Sequence, residues 1–226
     1  MNGEQDPRRG TGVVFWDVDT QHDFMAPEGK LYVPGAEVLV PALEALTTFA
    51  HAHRIPIVAS SDDHVPAHAE ISETPDWAAT FPPHCLRGTP GQRKIAATSL
   101  ADPLVLEPDP VDPAVLADQV RAHRGDFLLL KHQLDVFSNP NTQVVLSALG
   151  PEAIVLYGVA TDFCDRCAVE GLLRERPGAT LLFVTDAARA IDSARGEALM
   201  RAWSGRGVRM VRTDDVVSGR ALESWL

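Results

Sequence analysis

Six short apolar runs recur along the chain, and helical stretches separate most of them. They are Gly12–Asp19 (GVVFWDVD), Ile55–Ser61 (IPIVASS), Phe127–His132 (FLLLKH), Ala153–Ala160 (AIVLYGVA), Thr180–Ala187 (TLLFVTDA) and Val208–Thr213 (VRMVRT). Runs with little polar alternation are buried on both faces, as strands of a parallel sheet are. Between the first two, Leu39, Leu43, Leu46 and Ala50 recur at helical spacing on one face. Ser138, Asn139 and Pro140 offer a cap residue and a first-turn proline for a helix over Thr142–Leu149, which Gly150-Pro151 stops. Asp162–Arg176 and Ser193–Arg206 read as further helices. Strands alternating with helices predict an α/β fold. The expected form is a single-domain, Rossmann-like, doubly wound sheet of five to six parallel strands with helices on both faces.

The 226 residues suit one such domain, spanning 12–226. Residues 1–11 are polar, lack the apolar core of a signal peptide, and are expected to form a disordered leader. Acidic residues outnumber basic ones, 31 to 20. The net charge of -11 argues against nucleic acid or an anionic membrane surface as the partner. No apolar run approaches the ~20 residues that span a bilayer. Three cysteines without framework spacing argue against a disulfide scaffold and for a reduced, cytoplasmic protein. Residues Asp62–Pro113 break the α/β rhythm: they are rich in Pro, His and acidic residues. A loop this long in a compact domain is expected to be functional. Its last part, Asp102–Pro113, reads as a surface excursion.

Polar residues gather at the carboxyl ends of the apolar runs: Asp19, then Asp62 with His64, Lys131, Cys164 and Asp186. Ligands of open parallel sheets bind at that edge. Cys164 follows a strand and opens a helix, where the dipole favours thiolate. Gly158 permits close backbone approach before it. Alternatives stay open at this level. Cys164 and Cys167 also fit the C-x-x-C of redox helices, and a buried inert thiol is common. Lys131 is one of only three lysines and enters a buried strand end, which calls for a partner or a task. Asp17 lies near Asp19, and the sequence does not fix whether the two share a face. Asp62, His64, His68 and His84 offer one carboxylate and three imidazoles, a set suited to zinc, iron or manganese. His51 and His53, at a helix end, read as surface or dipole-compensating groups.

Four blocks carry a resemblance to a known family. Asp19-Thr20-Gln21-His22-Asp23-Phe24 is similar to a D-x-Q-x-D-F block after the first strand. Asp62 to His68 fits D-x-H-x-x-x-H, and Phe81-Pro82-Pro83-His84-Cys85 leads into Gly88-Thr89-Pro90-Gly91. Gly158-Val159-Ala160-Thr161-Asp162-Phe163-Cys164 looks like a nucleophile signature. Together they resemble the isochorismatase-like cysteine hydrolases, and within them the nicotinamidases. The match covers most of residues 12–217.

The resemblance implies that Cys164 attacks an amide carbonyl, Asp19 moves the proton, and Lys131 holds the charge of the pair. It implies an oxyanion hole from the N–H groups of Ala160 and Cys164, with a cis peptide before Ala160. It implies a divalent metal, zinc first and iron or manganese otherwise, on Asp62, His64 and His84, with His68 as a further ligand or a supporting group. Phe24 and Phe81 would sandwich a substrate ring. Phe81 stands where nicotinamidases usually carry tryptophan, and the segment after Gly91 departs from the usual pattern. The expected activity is hydrolysis of a small ring carboxamide, nicotinamide first, to the acid and ammonia, by a homo-oligomer. The alternatives are the same machinery on another small amide or lactam, or a redox or metal-binding role for Cys164 and Cys167.

Overall fold

The computed structural model describes residues 12–226; the leader expected over 1–11 lies outside them. Seven parallel strands form one sheet: β1 (Val13–Val18), β2 (Ile57–Asp62), β3 (Leu104–Leu106), β4 (Phe127–Lys131), β5 (Ala153–Val159), β6 (Thr180–Arg189) and β7 (Arg209–Val211). Their order is β3-β4-β2-β1-β5-β6-β7. The six expected strands are present with ends shifted by a few residues. The seventh is β3, which lies inside the stretch expected to be a surface excursion. It pairs with β4 at the sheet edge, Leu104 opposite Phe127 and Leu106 opposite Leu129. Asn139 fastens it by donating to the carbonyls of Leu106 and Leu130. Asn141 does the same for the following turn, through the carbonyls of Glu107 and Asp109.

Every residue of β1 is buried, and its side chains divide between two cores. Val13 and Phe15 share a core with Met25 of α1 (His22–Met25), Leu43, Leu46 and Ala50 of α2 (Val40–Ala52) and Val216 of α7 (Thr213–Val217). Val14, Trp16 and Val18 pack on the other face. There they meet Leu116 of α3 (Pro113–Ala122), Val145 of α4 (Thr142–Leu149), Val169 of α5 (Cys164–Glu175) and Trp203 of α6 (Ser193–Ser204). Period-2 alternation into two apolar layers is what the unbroken run VVFW demands. The helix over Thr142–Leu149 has its expected bounds but not its expected cap. Its N-cap is Asn141, without a side-chain cap bond, and Asn139 braces the turn instead.

Strand order reverses around β1, with β2 on one side and β5 on the other. A crevice outside the carboxyl ends opens at such a switch point. Gly158 makes the β1–β5 approach possible. Its φ is +132°, and a Cβ there would lie 2.1 Å from the Val18 carbonyl oxygen. Gln21 clasps the other side: its side-chain amide donates to the Asp62 carbonyl and accepts from the Asp62 N–H. Asp23 pins the long loop by accepting from the Cys85 N–H at 2.7 Å. A Cβ on Gly91 would strike the same carboxylate, at 2.3 Å. The motif residues with no chemical role thus hold β1, β2 and the loop in one frame. Among the described residues, no helix is long and apolar enough to cross a membrane.

Candidate active site and metal centre

Three strand ends bring Asp19, Lys131 and Cys164 together. Asp19 follows β1 and is fully buried, with φ at +48°. A non-glycine residue in that region is uncommon and occurs where surrounding structure holds it. It ends the alternation of β1, so Asp17 and Asp19 find different partners. Asp17 faces Lys94 at 2.9 Å and accepts from Thr20. Asp19 accepts from the Ser60 hydroxyl at 2.6 Å and meets the Lys131 ammonium at 3.0 Å.

Lys131 is the last residue of β4 and is opposite Asp62 in the β2–β4 register. Its Nζ contacts both Asp19 and Asp62 and lies 3.7 Å from the Cys164 Sγ. Burial alone would favour the neutral amine. The two carboxylates outweigh it and raise the Lys131 pKa well above the usual lysine value. Lys131 is therefore a fixed cation. Cys164 is the first residue of α5 and is buried. Burial pushes its thiol well above the ordinary cysteine range, with Lys131 opposing. The resting group is a thiol that needs a base, and Asp19 is the neighbouring carboxylate on the same ammonium.

A second cluster adjoins the first through Asp62. Ligand atoms of Asp62, His64, Glu70 and His84 all lie within 4.8 Å of one another, and all four residues are buried. Glu70 was not expected from sequence. It is brought in by a turn of the loop, where Phe81 N–H donates to the Glu70 carbonyl and Ile71 bridges to Phe81. His68 is placed differently. Its Nδ1 lies 3.4 Å from the Nδ1 of His64 and accepts from the Val65 N–H. It is an orienting neighbour of His64, outside the cluster. With His68 Nδ1 accepting, His64 carries its hydrogen on Nδ1 and keeps Nε2 free. His84 reaches the same state by donating from Nδ1 to the Pro82 carbonyl at 2.8 Å.

The cluster fits a divalent cation. His64 Nε2 and Glu70 Oε1 are buried with no hydrogen-bond partner. Burial, then the nearby Asp62 charge, raises the Glu70 pKa. At His84, burial favours the neutral ring, but Asp62 outweighs it and raises the pKa. Both shifts express one imbalance, an excess of buried negative charge that a metal ion neutralises. One carboxylate pair and two imidazoles suit zinc, iron or manganese alike.

Both clusters open on one narrow cleft. Cys164 and Ala160 lie on its wall with Asp62, Glu70 and His84, and Phe24, Phe81 and Phe163 supply aromatic surface. Phe24 and Phe81 sit 5.5 Å and 6.3 Å from the His84 ring, centroid to centroid. The peptide bond between Val159 and Ala160 is cis. The Ala160 carbonyl accepts from the N–H groups of Phe163 and Asp165, which curls the turn tightly under Cys164. One sequence expectation falls elsewhere, and the helix-end histidines lie where expected. Asp186 is not at the site: β6 continues past it, and its carboxylate accepts from Thr213 at the start of α7. His51 pairs with Asp126 at 2.8 Å, and His53 bonds the Phe49 carbonyl at the end of α2.

Known proteins of this architecture extend the comparison. The chain is 28% identical over 162 residues to the nicotinamidase/pyrazinamidase of Mycobacterium tuberculosis, covering 70% of this chain and 76% of that protein. The fold superposes on the zinc-bound pyrazinamidase of Pyrococcus horikoshii with a TM-score of 0.69 at 22% identity, covering 89% and 99% of the two chains. It superposes on the N-carbamoylsarcosine amidase of Thermoplasma acidophilum with a TM-score of 0.63 at 25% identity, covering 89% and 96%. The isochorismatase domain model matches residues 13–215. The chain belongs to the isochorismatase family.

Proposed function

We propose that this protein hydrolyses a small planar ring carboxamide, nicotinamide first, to the acid and ammonia. The observation that carries this reading is the single cleft of Cys164, aromatic walls and the Asp62–His64–Glu70–His84 cluster. A ring lying between Phe24 and Phe81 places its amide toward Cys164 and a ring nitrogen toward the cluster. The relatives described above, named for nicotinamide and pyrazinamide amidases, support the same chemistry.

Cys164 Sγ attacks the amide carbon while Asp19 takes the thiol proton. Lys131 keeps its proton throughout and stabilises the charge that passes between Asp19 and sulfur. The carbonyl oxygen gains negative charge and is met by the N–H groups of Ala160 and Cys164. Cys164 heads α5, and first-turn N–H groups have no intrahelical acceptor. Asp19 returns its proton to the amide nitrogen, and ammonia leaves a thioester on Cys164. Asp19 then draws a proton from the water that attacks the thioester, the C–S bond breaks as the acid leaves, and Asp19 returns the proton to the Cys164 sulfur. Asp62, His64, Glu70 and His84 would hold the metal ion, which would supply a Lewis acid for a ring nitrogen and so orient the substrate.

The test is ammonia release from nicotinamide, pyrazinamide and benzamide by the purified protein, with metal analysis of the same sample. Nicotinamide should be cleaved and benzamide, which lacks the ring nitrogen, should lag by at least about 10-fold. Equal rates on benzamide sink the ring-nitrogen role. Inactivity on nicotinamide with activity on other amides moves the assignment to a second reading, the same machinery on a different small amide. Phe81 in place of tryptophan is the observation that favours it.

A further inference from the structure

The amidase reading leaves one thiol beside the nucleophile unused. Cys167 is in the first turn of α5, three residues after Cys164. Helical residues three apart share a face with Cβ atoms about 5–6 Å apart, and side chains lean toward the N-terminus. Cys167 therefore leans over the turn that Cys164 begins. Burial pushes its thiol up, Arg166 opposes this, and Asp135, Lys131 and Asp19 act on it more weakly. Cys167 is partly exposed, whereas Cys85, the third cysteine, is fully buried. A disulfide needs Cβ atoms about 3.5–4.5 Å apart, so closure asks the turn to tighten by roughly 1–2 Å. The N-cap, Phe163, makes no side-chain cap bond, and the Cys167 N–H that donates to the Phe163 carbonyl keeps the two cysteines within one helical turn.

We propose that Cys164 and Cys167 are the site of a reversible disulfide formed when the protein meets a peroxide. The Cys164 thiolate, its proton passed to Asp19, attacks one oxygen of hydrogen peroxide. The O–O bond breaks, hydroxide leaves and takes that proton to become water, and Cys164 becomes a sulfenic acid. The sulfur of Cys167 then attacks the Cys164 sulfur. The S–S bond forms, the S–O bond breaks, and the departing hydroxide takes the Cys167 proton as a second water. Two thiols are oxidised by two electrons and one peroxide is reduced. The disulfide switches the nucleophile off and shelters it from irreversible over-oxidation. This inference rests on the reactive-thiol part of the proposed function and not on which amide is cleaved.

Arg166 lies between the two cysteines, so trypsin gives two peptides joined only by the disulfide. The full chain is treated with hydrogen peroxide, digested without reductant and mapped by mass spectrometry. The linked pair should appear with loss of two hydrogens, and dithiothreitol should restore both thiols. In Cys167→Ser, Cys164 should instead gain two or three oxygens, and thiol recovery should fall at least about 10-fold. Cys167→Ala should behave alike, which separates the missing thiol from any disturbance by serine. Wild-type protein that gains oxygens on Cys164 without linked peptides overturns the proposal. Thiol recovery equal to wild type in either variant overturns it as well. Linked peptides in a protein inactive on every amide uphold it while the amidase reading fails.

Discussion

Lys131 is the residue on which both clusters depend. It is wholly buried and neutralises Asp19 on one side and Asp62 on the other. Removing it strands two carboxylates in a region that excludes water. Lys131→Met should therefore cost about 3–5 kcal/mol in urea unfolding as well as activity. Wild-type stability in that variant would show that the carboxylates are compensated elsewhere. Cys164→Ala and Asp19→Asn should behave oppositely, with unfolding near wild type and ammonia release lowered at least about 1,000-fold. Full activity in Cys164→Ala excludes every reading built on this thiol. Ser60 acts through Asp19, whose Oδ1 it holds at 2.6 Å. Ser60→Ala should lower kcat about 10-fold with KM little changed, and Ser60→Thr should recover most of it. A change confined to KM would place Ser60 at the substrate instead.

The elements differ in how openly the sequence announces them. β1, β4 and β5 are unbroken apolar runs, and their ends carry Asp19, Lys131 and the turn to Cys164; the fold and the gathering of these three residues were legible together. β3 is three residues long and set among Pro and Asp, so no periodicity marks it, and its pairing depends on Asn139, distant in sequence. α3 did carry a signal, Asp112 capping Ala114 and Val115 with Pro113 behind it, hidden by the proline-rich run before it. Glu70 had no such signal: its place follows from loop hydrogen bonds to Phe81 that residue spacing does not encode. α5 contains a further buried acid. Asp165 is fully buried, accepts only a 3.3 Å bond from Thr161, and leaves Oδ1 unpartnered. Burial, then nearby Asp19, raises its pKa well above the carboxylate range. The native state thus binds this proton more tightly than the unfolded chain does. Below about pH 4 both states hold it and no cost arises; as pH rises past that value, stability falls until the folded group ionises. Asp165→Asn should therefore stabilise at pH 8 by about 1–3 kcal/mol and much less at pH 4. A gain equal at both pH values would locate the effect in packing.

At the scale of the whole molecule, the sheet's switch point and the long loop divide the work. The strands fix Asp19, Lys131 and Cys164, while the loop carries Glu70 and His84 to Asp62 and His64. The sheet has its own two apolar cores, so the frame that holds Asp19, Lys131 and Cys164 does not depend on the cluster being filled. The loop is tied back to the end of β1 by Asp23 with Cys85, Gln21 with the Gln92 carbonyl and Asp17 with Lys94. An ion shared by Asp62, His64, Glu70 and His84 adds a tie of a different size, because binding confined to the native state stabilises it by about 4 kcal/mol at 1,000-fold Kd. Chelation should thus remove the metal, lower Tm and raise KM for a ring amide, while far-UV circular dichroism holds. Glu70→Ala should weaken metal binding by at least about 10-fold, and His68→Ala by a similar factor, since His68 sets the free nitrogen of His64. Isothermal titration with zinc on the chelated protein measures both. Stoichiometric metal retained by an Asp62→Ala/His64→Ala double variant would place the ion elsewhere, and the excess charge of this cluster would then need another counter-ion.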